Sequence, residues 1–311
     1  MGEDQGERKF HLITETSKQR LDLFVLEHLE GLSRAQAQKL IRAGRVLVDG
    51  RVEKAGFRFK GGERVEIDMP LGEEVSVEPE DIELEIVYED GDLAVINKAA
   101  GMVVHPGAGN RGGTLVNALL ARYPELAEMM DDPETGERLG IVHRLDRGTS
   151  GLLVAARKKT SLLALMRQFQ ERTVDKFYLA LLEKRPESDK GLVDAAIARH
   201  PRQRKRMAVR RDGRSAQTEF RVLDDDFQGD RALVELRLLT GRTHQIRVHM
   251  AFIGCPVVGD AVYGYRKQRV KLKRQFLHAS ELAFDHPASG ERMRFESELP
   301  VGLRNVMAKL R

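Results

Sequence analysis

Between Pro70 and Glu83 the chain loses every regular spacing of apolar residues. The stretch holds Pro70, Gly72 and Pro79, inside an acidic run from Glu63 to Asp92 whose only cation is Arg64. Proline, glycine and like charges without a period neither propagate a helix nor pair as a strand, so this segment reads as a linker. That feature splits the 311 residues into two folding units. The expected organisation is a polar tail at 1–17, a small domain at 18–69, the acidic linker at 70–81 and a large domain at 82–311. A 41% share of hydrophobic residues is enough for a sizeable core.

The small domain opens with Leu21, Phe24, Val25 and Leu29 at helical spacing. A second helix is predicted over GLSRAQAQKLIRAG, with Ser33 as N-cap, Gln36 completing a capping box and Gly44 as C-cap. RVLVDGRV gives two short strands about the Asp49-Gly50 turn. Lys54 to Met69 reads as a further strand pair about Gly61-Gly62, and the tail offers a short strand at Phe10–Ile13. This helix–helix–hairpin resembles the alpha-L RNA-binding domain named after ribosomal small-subunit protein four. Arg20-Leu21-Asp22 and the run from Leu32 to Val52 carry the likeness. The resemblance implies that Arg34, Lys39, Arg42 and Arg45 face RNA backbone, although surface Lys and Arg commonly form only a solvated face.

In the large domain LEIVYED and LAVINK read as strands about Gly91, TLVNALLARY as a helix and GLLVAARK as a strand. TSLLALMRQFQER is an amphipathic helix with Leu162, Leu165, Met166 and Phe169 on one face. DKFYLALL, GLVDAAIA, Gln217–Leu223 and Ala232–Leu239 follow as strands, the last with Val234, Leu236 and Leu238 alternating with Glu235 and Arg237. Consecutive strands on short loops favour an α+β fold with a mixed, largely antiparallel sheet partly covered by helices.

Composition narrows the function. No apolar run is long enough to span a bilayer, and MGEDQGERKF lacks a signal-peptide core, so a cytoplasmic location is expected. The single cysteine, Cys255, excludes an internal disulfide framework and any cysteine-rich zinc site. Net charge is only +4, but it is unevenly placed. Arg199 to Arg214 carries eight Lys or Arg against Asp212 alone, and RKQRVKLKR spans Arg266 to Arg274. Such runs are the footprint of a polyanion partner, or else solvated loops. Pro201 and Gly213 suggest a loop for the first run, with Arg204, Lys205 and Arg206 at its centre as candidate phosphate contacts.

Several patterns are decoys. Gly107-Ala-Gly109-Asn-Arg-Gly112 matches a dinucleotide fingerprint, but Pro106 interrupts the strand-to-turn geometry. Gly113-Thr114 lacks a phosphate-loop lysine, and Gly148-Thr-Ser150-Gly151 has its second glycine one residue too early for a hydrolase elbow. His244 and His249 lack a metalloprotease frame. No metal and no cofactor is expected.

The informative segment runs from His143 to Lys158, HRLDRGTSGLLVAARK. Asp146 is expected on a tight loop between two strands, with Arg144 and Arg147 on either side to keep it charged. An ionised carboxylate serves as nucleophile or base, and the competing reading is a turn aspartate in a surface ion pair. The segment resembles the signature of the large pseudouridine synthase family whose best-known members act on large-subunit ribosomal RNA. Asn97 to Pro106, Lys176-Phe-Tyr178 and Leu239 to His249 resemble the other motifs of that family, in the same order.

The resemblance implies a pseudouridine synthase fold, no cofactor, and isomerisation of flipped-out uridines with Asp146 as the essential carboxylate. It implies that Tyr178 lies against the uracil, that Arg247 pairs with Asp146, and that Arg144 fills the vacated stack. The alternative for Tyr178 is an ordinary strand aromatic, and for Arg247 a surface arginine on a strand. The expected partner is large-subunit ribosomal RNA or its precursor particle, bound by a monomer with no membrane attachment. Two departures touch loop rigidity and fine specificity: Ala99 where proline is common, and Gly148 where an acid is common. The competing functions are a non-catalytic RNA-binding or assembly factor, which intact Asp146, Tyr178 and Arg247 argue against, and a glycosylase, which would release free base.

Overall fold

The computed structural model describes residues 8–14, 18–29, 34–69, 77–107, 110–129, 138–203, 206–267 and 270–311. It consists of two compact units, Met1–Ser76 and Val77–Arg311.

The first unit comprises β1 (Arg8–Ile13), α1 (Leu21–His28), α2 (Arg34–Arg42), β2 (Val46–Val48), β3 (Arg51–Val52) and β4 (Arg64–Met69). Its sheet runs β1-β4-β2-β3, antiparallel throughout. The β2–β3 turn places Asp49 and Gly50 at φ 48° and 75°, the left-handed pair that a two-residue hairpin demands. Gly44, at φ 72°, ends α2 as expected. Ser33 lies outside the described residues, as does the Gln36 side chain, so the expected capping box does too.

Two readings of this unit need correction. Residues 8–13 are not tail: β1 pairs with β4 in register, Phe10 opposite Ile67 and Leu12 opposite Val65, so their alternating apolar side chains join one core. Lys54–Met69 holds one strand, not two. Phe59 turns into the core against Phe24, Phe57 packs on Phe59, and their backbone bonds Lys18, Gln19 and Leu21 at the start of α1 instead.

The second unit runs β5 (Ile86–Glu89), β6 (Leu93–Lys98), α3 (Leu115–Arg122), β7 (Ser150–Ala156), α4 (Lys159–Glu171), β8 (Asp175–Leu182), β9 (Lys190–Asp194), β10 (Ile197–Arg199), β11 (Met207–Val209), β12 (Gln217–Phe227), β13 (Arg231–Leu238), α5 (Gln245–Phe252), β14 (Leu277–Asp285), β15 (Arg292–Glu296) and α6 (Val301–Leu310). Eight strands lie in the order β5-β6-β7-β14-β8-β13-β12-β9, and β15 pairs with β14. Only β14–β7 is parallel, so the sheet is mixed and largely antiparallel. β7 is buried along its whole length, which explains its unbroken apolar run.

The unit begins earlier than the sequence suggests. Val77 packs on its core, Asn117 Nδ2 donates to Glu78 O at 2.8 Å, and Gly113 N donates to the Glu80 carboxylate at 2.9 Å. The basic run Arg199–Arg214 is also no plain loop: β10 and β11 form a hairpin whose Met207 and Val209 pack with Ile197, Val248 and Tyr263. Arg204 and Lys205 lie outside the described residues. Among the described residues no helix is long and apolar enough to cross a membrane.

Candidate active site

One row across the sheet explains how distant segments meet. Lys98, Gly151, Ala279, Tyr178 and Leu236 are successive partners on β6, β7, β14, β8 and β13. Gly151 has φ 116°, and a Cβ there would lie 2.2 Å from Ala279 O. Glycine therefore lets β7 start against β14, and the loop feeding β7 is brought beside Tyr178. That loop carries Asp146, and its turn closes with Thr149 N donating to Asp146 O at 3.0 Å.

Asp146 is held from α5. Arg247 Nη1 donates to Asp146 Oδ2 at 2.9 Å. Arg247 is buried and sits on a helix, not on a strand surface. Its other donors form a fork on Asp260, Nε to Oδ2 at 2.7 Å and Nη2 to Oδ1 at 2.9 Å. Burial opposes the guanidinium charge, yet the bonds and charge of Asp260, then of Asp146, raise its pKa. Asp260 accepts in addition from Val262 N and Tyr263 N, which fixes the clamp. Asp146 Oδ1 faces His244 Nε2 at 3.8 Å.

The flanking arginines do not hold Asp146 as the sequence suggested. Arg147 Nε donates to Gly101 O at 3.1 Å while Gly101 N donates to Arg147 O, so this residue ties two motifs together. Arg144 lines the cleft. The ion pair is supplied 101 residues later in the chain, by Arg247. Gly148 has a steric reason: a Cβ would stand 2.3 Å from Gln275 Oε1, whose amide bonds Thr149 Oγ1.

The cleft measures about 580 Å³, and an adjoining recess of about 60 Å³ is lined by Asp146, Tyr178, His244 and Arg247. Arg138, Arg144, Arg172, Lys176, Arg214 and Arg242 line the cleft, and among the described residues Asp146 is the only carboxylate that lines it. Such a surface suits a polyanion. A larger cavity of about 1040 Å³ lies beside α6 and holds none of Asp146, Tyr178 and Arg247.

Burial shapes the remaining groups. The Tyr178 phenol is pushed well above its ordinary pKa, by burial first and then by Asp146, so it stays protonated. Burial pushes Lys176 down to about 8 and His143 down to about 3. His143 is thus neutral, stacked on Phe169 at 4.7 Å and accepting from Val154 N at 3.1 Å. Lys98, almost inaccessible and pushed by burial to about 8, donates to Ala99 O and Met102 O and braces the turn that contains Gly101.

The candidate RNA contacts vary. Arg34 Nη2 lies 3.2 Å from the buried Asp22, and Arg45 Nη1 lies 2.5 Å from Asp68, so both already hold acids. Arg42 is exposed and donates to Gln38 O, while the Lys39 side chain lies outside the described residues. Arg206 sits over the Tyr263 ring at 5.3 Å. The sequence reading missed Asp260 as a partner and set His244 aside after testing it only as a zinc ligand. A lone Asp ahead of a turn gives no local signal of the arginine it will meet.

Proteins described as RNA pseudouridylate synthase match this chain over residues 92–252, and the S4 domain matches residues 19–65. The chain belongs to the RNA pseudouridylate synthase family, enzymes of the isomerase class, and carries an S4 RNA-binding domain ahead of the catalytic unit. An RNA pseudouridine synthase of Chloroflexus aurantiacus is 50% identical over 96% of this chain and 91% of its own length. Proteins named ribosomal large subunit pseudouridine synthase D are 44% identical in Xanthomonas campestris, over 94% of this chain and 89% of theirs, and 41% in Escherichia coli K12, over 94% and 91%. The structure of human RNA pseudouridylate synthase domain containing 1 superposes with a TM-score of 0.57 at 32% identity, covering 72% of this chain and 84% of that one.

Proposed function

We propose that this chain isomerises specific uridines of large-subunit ribosomal RNA, with Asp146 as the reacting carboxylate. The observation that carries this reading is that, among the described residues, Asp146 is the lone carboxylate of a cation-lined cleft and is bonded by Arg247 through Oδ2 only. The reaction breaks the bond from uracil nitrogen 1 to the ribose anomeric carbon, turns the base and joins its carbon 5 to that carbon. A proton leaves carbon 5 and one is gained at nitrogen 1, so nothing is oxidised. Asp146 attacks the ribose or the base, or takes the 2′ proton. Each route needs a carboxylate oxygen with free lone pairs facing the nucleotide.

Tyr178 supplies the wall for the uracil. Its raised pKa favours a protonated ring that stacks and donates over a general base near neutral pH. A target uridine inside folded RNA leaves its stack to enter the recess, and Arg144 fills the space behind it. The ribosomal substrate is supported by the relatives named for it, and the S4 domain and the cleft cations supply phosphate contacts that position without reading sequence. Pseudouridine mapping of total RNA with and without the gene tests the reading. Specific large-subunit positions are expected to disappear, and to return with the parent gene but not with Asp146→Asn. Loss only in transfer RNA would redirect the substrate, and no loss anywhere would overturn the reading.

A further inference from the structure

His244 stands in a costly conformation. At φ 57° and ψ 21° its backbone is left-handed, a region that residues with a Cβ enter at a free-energy cost. The surroundings hold it there. Gln245 Oε1 accepts from Arg242 N and Thr240 Oγ1, its Nε2 donates to Gln217 O and Thr218 Oγ1, and His244 O accepts the Val248 N–H of α5. The conformation aims the imidazole at the reacting carboxylate.

The ring also presents a defined edge. Tyr263 Oη accepts from Met207 N at 2.8 Å and lies 2.9 Å from His244 Nδ1, so the phenol proton is free to be donated to Nδ1. The imidazole proton then sits on Nε2, facing Asp146 Oδ1; the opposite tautomer would set a lone pair against the carboxylate. Burial holds the His244 pKa below its ordinary value against the pull of Asp146, so the ring carries this one proton at neutral pH.

A gap of 3.8 Å is too long for a hydrogen bond. It has room for one oxygen at about 2.8 Å from both atoms, and that oxygen must accept from Nε2 and donate to Oδ1. A carbonyl only accepts and an ammonium only donates, whereas a hydroxyl does both. If Asp146 reacts as proposed above, the anomeric carbon lies beside it, and the hydroxyl next to that carbon is the ribose 2′-hydroxyl. We propose that His244 reads the 2′-hydroxyl of the target nucleotide, which bridges His244 Nε2 and Asp146 Oδ1 and selects RNA over DNA at that single position.

The test uses the full chain and an oligonucleotide spanning one mapped uridine. Conversion of the unmodified oligonucleotide by the parent is checked first; failure there counts against the proposed function, not against His244. Equilibrium affinity is then measured for the converted oligonucleotide, carrying pseudouridine, and for its 2′-deoxy counterpart at that nucleotide. The parent is expected to prefer the ribose form by about 3- to 10-fold, the worth of one net hydrogen bond. His244→Gly, which suits a left-handed backbone, and Tyr263→Phe, which removes the donor fixing the tautomer, should both bring the ratio toward one. Because the ratio is taken on one preparation, inactive protein cancels, and a structural role would weaken both RNAs alike. A parent without preference, or a preference surviving in both variants, overturns the assignment.

Discussion

Among the aspartates that arginines hold in this molecule, Asp22 and Asp146 are held differently. Asp22 of the first unit is fully buried, and both its oxygens are filled: Arg20 bonds each of them, and Arg34 and Gln38 share the second. Asp146 of the second unit keeps a fifth of its side chain exposed and takes one N–H from Arg247 on one oxygen. The guanidinium fork that could have saturated it is spent on Asp260. Arginine pairing and burial alone therefore do not mark a reactive carboxylate. On the reading proposed above the count of donors separates them: the donors from Arg20, Arg34 and Gln38 on Asp22 pin the fold, and the one from Arg247 on Asp146 leaves lone pairs for chemistry.

The comparison is broken most directly at Asp146. Asp146→Asn should lower conversion by about a thousandfold or more while RNA affinity stays within a few fold, because the basic surfaces supply the affinity. Nucleoside chromatography of digested RNA reads the first effect and filter binding the second; substantial turnover would remove Asp146 from its role. Arg247→Lys keeps the charge but loses the fork, so Asp146 shifts and single-turnover conversion should fall by about a hundredfold. Asp22→Asn should leave conversion at saturating RNA unchanged and destabilise the first unit by about 3 kcal/mol, read by hydrogen exchange of Leu21–His28. The hydrogen bond from Arg20 holds the Asp22 carboxyl below the ordinary range. Its contribution is therefore complete above about pH 4 and is lost as pH falls further, so parent and variant should converge in acid.

Smaller effects sharpen the division between the units. Removing residues 1–76 should leave a folded catalytic unit, since Val77 and Glu78 belong to that unit, with weaker RNA binding. The salt slope should shrink by about 0.7 to 0.9 for each phosphate that the shortened protein no longer neutralises. Unchanged affinity would remove the RNA role from the first unit. The least effect is expected from Arg204→Ala with Lys205→Ala, keeping Arg206 because it covers Tyr263. Affinity should drop for all sequences alike, with the rate at saturation unaltered, as a salt titration with single-turnover assays would read.

How much of this was legible beforehand depended on range. Local periodicity located α4 and β13, and Asp49-Gly50 located the β2–β3 turn, because spacing and turn chemistry act over a few residues. Asp146, Tyr178 and Arg247 stood out by motif, and the structure brings them to one recess. The partners of Asp146 were assigned to its sequence neighbours as well as to Arg247, and Arg147 turned out to face Gly101. Asp260 and the insertion of β14 between β7 and β8 left no local trace, since pairing over more than a hundred residues is decided by tertiary fit. β1 was under-read because Phe10 and Leu12 show their alternation only beside Val65 and Ile67.

The place of β14 also sets a timetable for synthesis. Strands β5 to β7 and strands β8, β13, β12 and β9 are joined in one sheet only through Leu277–Asp285, which lies between them. Asp146 belongs to the first half and Tyr178 to the second, so a nascent chain still lacking β14 can own both residues yet no pocket. A pocket whose two halves are joined by Leu277–Asp285 is complete only once that strand has been made.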